Sequence, residues 1–119
     1  MLIIYSISTM NLDQKGNTIV VTNSENSTSY FHEQITIEFH NFKNHNVIVD
    51  LSSDSNLTIA DIKLFTDLID SHKEQKKSFV LVSSILDFNA IPNNIVLVPT
   101  IIEAHDIIEM DEIERELGF

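Results

Sequence analysis

Residues 46–84 constrain this chain most, because they read strand, loop, helix, strand in immediate succession. Val47, Ile48, Val49 and Leu51 form an apolar run without polar alternation until Asp50. A strand that is apolar on both faces must be covered on both faces, as in the middle of a parallel sheet. Residues 52–57 are polar and read as a loop. Residues 58–75 have helical periodicity. Ile62, Phe65, Leu68, Ile69 and His72 make an inner stripe, and Lys63, Asp67, Asp70 and Lys73 lie opposite. Thr58 and Asp61 have the spacing of a capping box. Lys73, Lys76 and Lys77 crowd the other end, where the helix dipole favours cations. Residues 78–82 form the next buried strand, so the unit is the crossover of an α/β fold.

The flanking segments extend that pattern. Residues 2–8 read as a strand and residues 11–15 as a short edge strand. Gly16 and Asn17 tolerate positive φ and mark a turn. Residues 18–22 are β-branched throughout and form a good strand. The pattern leaves open whether 2–8 or 11–15 pairs with it. Residues 23–29 are a polar loop. Asn26-Ser27-Thr28 and Asn56-Leu57-Thr58 match the glycosylation triplet, which carries no weight without a secretory signal. Between 30 and 42, Ile35, Ile37 and Phe39 alternate like a strand, whereas Phe31, Ile35, Phe39 and Phe42 form a helical stripe. The longer pattern predicts a helix, with Ser29 as its cap.

Residues 83–94 are irregular. Ile85, Leu86, Phe88 and Ile91 place them over the core, and Pro92 allows at most one helical turn before it. Residues 95–98 make a further continuous apolar strand, ended by Pro99. Thr100 and Glu103 open a helix with a capping box. Ile101, Ala104 and Ile108 share one helical face, while Met110, Ile113 and Leu117 share a face roughly opposite. Asp111 and Glu114 resemble a second cap. The pattern therefore predicts two short helices meeting near residues 109–111, with Gly118 as the stop.

At 119 residues and 43% hydrophobic content the chain reads as one domain spanning 1–119. Residues 1–9 are a peripheral extension if Met10 is the start. They are too short to span a bilayer and lack the flanks of a signal peptide. The absence of Cys excludes disulfide frameworks and thiolate metal sites, and fits a reducing, cytoplasmic setting. Eighteen acids against seven Lys and Arg give a net charge of −11. Such a chain repels nucleic-acid phosphates and anionic membranes, so neither is an expected partner. Arg115 is the single arginine, which leaves little for bidentate phosphate recognition.

The order of elements resembles the STAS domain, the fold of bacterial anti-sigma factor antagonists. The likeness runs from about residue 18 to residue 109. Asp50-Leu51-Ser52 resembles the ending of that family's third strand, and Pro99-Thr100 with Glu103-Ala104 resembles the start of its final helix. A closer likeness is to a group of short bacterial STAS-like proteins. It rests on Lys76-Lys77-Ser78-Phe79-Val80, on Asp87-Phe88 and on the ending from Glu103-Ala104-His105-Asp106 to Leu117-Gly118-Phe119. Names in that group sometimes borrow from ribonuclease Z. The His-x-His-x-Asp-His dizinc motif of that enzyme is absent here, where His32, His40, His45, His72 and His105 are scattered. The resemblance implies a mainly parallel sheet of four to five strands with helices mostly on one face. It also implies recognition of a partner protein through the loop entering the second helix. The phosphorylated Ser of the antagonists aligns with Ile59, so the resemblance does not carry the phosphorylation chemistry.

Three chemistries compete with a binding role. Asp50, Asp54 and Asp61 surround a loop at a strand C-terminus, where open α/β sheets bind ligands, and three carboxylates suit Mg²⁺. A receiver-like phosphoryl site would also want an acidic pair after an early strand and a later Lys. Asn23 and Ser83 stand near those places. Ser52, Ser53, Ser55 and Thr58 supply hydroxyls, but a nucleophile needs a positioned base, and no His is near in sequence. His40 and His45 flank Phe42 without further convergent ligands. Capping and loop duty are the expected roles of the aspartates and the hydroxyls.

The expectation is thus a non-catalytic, cofactor-free interaction domain with an unidentified protein partner. The expected contact loop is Asp54, Ser55, Asn56, Leu57, Thr58, Ile59 and Asp61, with no metal bound. Met110, Ile113, Leu117 and Phe119 form a second apolar surface, which either docks back on the sheet or meets another subunit, as in a homodimer. One rival reading is a phosphoregulated antagonist using Thr58 or a loop Ser. The other is a small Mg²⁺-dependent enzyme or ligand-binding domain built on the three aspartates.

Overall fold

The computed structural model describes residues 10–23 and 27–118. The strand expected at 2–8, the triplet beginning at Asn26 and the side chain of Phe119 lie outside the described residues. Five strands form one mixed sheet in sequential order: β1 (Met10–Lys15), β2 (Thr18–Asn23), β3 (Asn46–Asp50), β4 (Phe79–Val82) and β5 (Val96–Val98). The first two form an antiparallel hairpin, and the segment 11–15 supplies the edge strand. Gly16, at φ 61°, turns the chain between them, as a two-residue hairpin loop requires. From β2 onward every pair is parallel.

This order explains where the helices sit. Right-handed crossovers that always step in one direction must all pass over the same face. That face carries α1 (Thr28–Ile37), α2 (Ile59–Lys63), α3 (Thr66–Glu74) and the cover segment with its 3-10 turn Phe88–Ala90. The last helix, α4 (Ile101–Glu116), follows the final strand and is free to return over the other face. The fold is α/β, with helices mostly on one face.

The two faces hold separate cores. On the α1–α3 side, Ile19, Val21, Val47, Val49, Phe79 and Leu81 meet Phe31, Ile35, Ile62, Phe65, Leu68 and Ile69, all buried. On the α4 side, Val20, Ile48, Val80 and Val82 meet Ala104 and Ile108. The central strand β3 alternates Val47 and Val49 toward one core with Ile48 toward the other, as its continuous apolar run requires.

Several expected boundaries shift for local reasons. The cap of α1 is Ser27, whose hydroxyl accepts from the Tyr30 amide, and the helix ends at Ile37 before a separate 3-10 turn, Phe39–Asn41. Ser29 lies within the first turn. Residues 58–75 form two helices instead of one. At the junction Leu64 and Phe65 donate to the carbonyls of Asp61 and Ile62, three residues back, and the Thr66 hydroxyl takes the Lys63 carbonyl. This 3-10 step tightens the chain and leaves Leu64 exposed while Phe65 stays buried. The expected pair of C-terminal helices is one continuous helix of 16 residues. Gly118, at φ 85°, follows its C-cap as expected. β5 is an outer strand with Val96 exposed, so it is covered less than its apolar run implies. In the cover segment Leu86 and Ile91 pack on the core, but Ile85 and Phe88 are exposed.

Candidate functional site

The loop between β3 and α2 lies at the C-terminal edge of the parallel strands, beside the N-terminus of α1. Its backbone is held from below by buried Leu51 and Leu57 and from within by Asp54. The Asp54 carboxylate is 4% exposed. Oδ2 accepts from the Thr28 amide at 3.1 Å and from the Thr28 hydroxyl at 2.6 Å, and Oδ1 accepts from the Asn56 amide at 2.9 Å. One acid therefore caps the first residue of α1 and shapes its own loop. An anionic acceptor there also favours the positive end of the α1 dipole.

The other two aspartates are committed elsewhere. Asp50 Oδ1 accepts from the Ser52 amide and hydroxyl, at 3.0 and 2.6 Å. Asp61 completes the expected capping box: its carboxylate accepts from the Thr58 amide, and the Thr58 hydroxyl accepts from the Asp61 amide. Each carboxylate serves a different set of local donors. Among the described residues no group of three or more His, Asp or Glu could hold a metal ion.

Of the expected contact residues, Asp54 and Leu57 face inward and organise the loop. Ser55, Asn56 and Thr58 are exposed, and Ile59 and Asp61 are half-buried. Ser52 and Ser53 extend the same exposed rim, and the Ser53 hydroxyl donates to the Asn23 carbonyl at 2.9 Å, which ties the rim to the end of β2. The rim is thus small and hydroxyl-rich, flanked by the half-buried carboxylates of Asp50 and Asp61 and laid on a backbone fixed by internal hydrogen bonds.

Two of the histidines, His72 and His32, serve packing. His72 is fully buried, and its Nε2–H donates to the His45 carbonyl at 3.1 Å. Its ring meets the edges or faces of Phe39 and Phe79 at 5.1 and 5.2 Å. Burial holds its pKa below the ordinary value, against the opposing pull of nearby backbone carbonyls. His32 stacks edge-on to Phe65 at 5.0 Å and is also pushed down by burial, with Glu33 opposing.

A second polar constellation occupies the opposite edge of the sheet, and the linear reading missed it. The Ser78 amide donates to Asn46 Oδ1, and Asn46 Nδ2 donates to Glu112. The Ser78 hydroxyl donates to Asp111 at 2.6 Å and accepts from Arg115 Nη2 at 2.9 Å. These bonds fasten the second half of α4 to the start of β3 and β4, beside a cavity of about 250 Å³. The partners lie 32 to 66 residues apart, so no local motif announces them.

Three residues of the second expected surface, Met110, Ile113 and Leu117, do not pack on the sheet. Met110 is 58%, Ile113 51% and Leu117 66% exposed. Ile102, on the same outer side of α4, is 74% exposed. No helix among the described residues is long and apolar enough to cross a membrane.

No family model matches the chain, and no curated protein does. Solved structures do. A candidate anti-sigma factor antagonist from Thermotoga maritima superposes with a TM-score of 0.67 at 12% identity, covering 88% of this chain and 98% of its own. A serine-to-glutamate variant of RsbS from Moorella thermoacetica superposes with a TM-score of 0.58 at 12% identity, covering 86% and 96%. The chain has the STAS-like fold of the anti-sigma factor antagonists.

Proposed function

We propose that this chain is a non-catalytic regulatory domain that binds a partner protein through the rim of the β3–α2 loop. The observation that carries this reading is the division of labour within the loop. Asp54, Leu51 and Leu57 are spent internally, and the exposed Ser55, Asn56 and Thr58 with half-buried Ile59 are left at the strand edge. Preorganised polar rims bind without paying the entropy of loop ordering. The fold neighbours are an anti-sigma factor antagonist candidate and RsbS, which supports a regulatory role in protein contacts. The net charge of −11 argues for a protein partner over nucleic acid, and the lack of Cys fits the cytoplasm.

Ile59 stands where the antagonists carry their phosphorylated Ser, so the domain acts without that switch. Thr58 is exposed, but its amide is bonded to the Asp61 carboxylate, which would repel a phosphate on its hydroxyl. The test is affinity purification from the native host with the wild-type chain and with Ser55→Arg and Asn56→Ala. The expected result is one protein recovered by the wild type and lost by both variants, with no phosphate increment in the intact mass of the bait. Equal recovery by all three would move the contact away from this loop. A phosphate increment abolished by Thr58→Ala would replace the reading with a phosphoregulated one.

A further inference from the structure

We infer that the outer face of α4 is a docking surface for a basic amphipathic helix of another protein. The helix has two apolar stripes, and the fold uses one. Ala104 and Ile108, flanked by Ile101 and Ile107, fill the core over β2, β3 and β4. Met110, Ile113 and Leu117 follow one another at three and four residues, so they form one stripe on the opposite side, and Ile102 lies along its N-terminal extension. From Ile102 to Leu117 the stripe is roughly 20 Å long at the rise of an α-helix. A narrow linear stripe fits a second helix laid alongside it.

Charge selects which helix. Glu103 and Glu114 border the stripe on one side, Glu109 and Glu116 on the other, and Asp106 lies between Ile102 and Met110; all five are exposed. The only Lys or Arg of α4, Arg115, is half-buried and turned to Ser78. An occupant with Lys or Arg on both sides of its own apolar stripe meets carboxylates on both sides. A second copy of α4 would bring acids against acids in either orientation, which disfavours a symmetric pairing. The face is also presented rigidly, because Asn46 and Ser78 hold Glu112, Asp111 and Arg115 at the sheet edge.

The inference rests on the reading of the chain as a protein-interaction domain but not on its loop. The test follows amide chemical shifts of the full chain as a synthetic Leu/Lys amphipathic helix is added, with the matching Leu/Glu helix as control. The expected perturbations cluster on the exposed side of α4, are absent with Leu/Glu, and need at least about tenfold more peptide in Ile113→Ser/Leu117→Ser. Glu109→Lys/Glu116→Lys weakens binding as well, and Asn56→Ala leaves it unchanged. Four results overturn the inference. These are perturbations spread over the acidic surface without preference for α4, binding indifferent to the double Ser variant, and free chain that is dimeric until that variant makes it monomeric. The fourth is α4 shifts that change on deleting residues 1–9, which would make the chain's own N-terminal segment the occupant. Loss of the host partner in the loop variants is a separate readout, so either proposal can fail alone.

Discussion

Two helical segments cover this sheet from opposite sides, and they invest their apolar side chains differently. The α2–α3 segment buries Ile62, Phe65, Leu68, Ile69 and His72, and bends at Leu64 and Phe65 to do so. The α4 helix runs unbroken, buries only Ala104 and Ile108 fully, and leaves its second stripe in water. A helical segment that buries a long apolar stripe breaks at one 3-10 step. A helix anchored by one stripe and by polar bonds at its far end stays continuous. The first is core. The second is a rigid bracket carrying a surface that the fold does not need.

That contrast makes ordered predictions for equilibrium urea unfolding. Phe65→Ala should cost most, about 3–5 kcal/mol, because the ring is fully buried and its pocket lies against Phe79 and His32. Ile108→Ala should cost less, about 2–3 kcal/mol, since the α4 core is smaller and freer to collapse. Equal losses would mean that the two faces are equally essential. Asp54→Ala removes a buried acceptor from three donors and should cost about 2 kcal/mol, with hydrogen exchange rising at Thr28 and Asn56. If exchange stayed slow there, Asp54 would not be what fixes the loop.

The pH response is smaller and its sign follows from burial. His72 has a folded pKa below 6.5, while the unfolded chain protonates near that value. Between the two values the unfolded state binds more protons, so stability is full above 6.5 and falls as pH drops through this window. His32 adds to the same trend. His72→Gln should flatten the acid limb of the stability profile, whatever it does to the plateau. An unchanged limb would assign the effect to carboxylates. Smallest of all, Leu117→Ser should change stability by less than about 0.5 kcal/mol. A larger loss would show that the outer stripe of α4 is buried in the native protein.

Much of the fold was legible in the linear chain because it is dictated locally. Continuous apolar runs at residues 47–51 and 79–82 demanded strands covered on both faces, and Thr58 with Asp61 announced a helix start that forms as a capping box. Gly16 and Gly118 marked chain reversal and helix end through their freedom at positive φ. Other features depended on what lies across the fold. Periodicity records which side chains seek burial but not whether a surface exists to receive them, so it divided α4 at a stripe that the sheet does not bury. It also ran α2 and α3 together across the 3-10 step at Leu64 and Phe65. Asp54 looked like an exposed contact residue because its partner Thr28 is 26 positions away. Likewise the ties from Asn46 and Ser78 to α4 exist only once strand order has brought them to one edge. The residues themselves determined the strands, caps and chemistry on offer. Tertiary structure alone decided which acids are spent inside and which apolar face is left outside, because burial is a property of neighbours and not of sequence position.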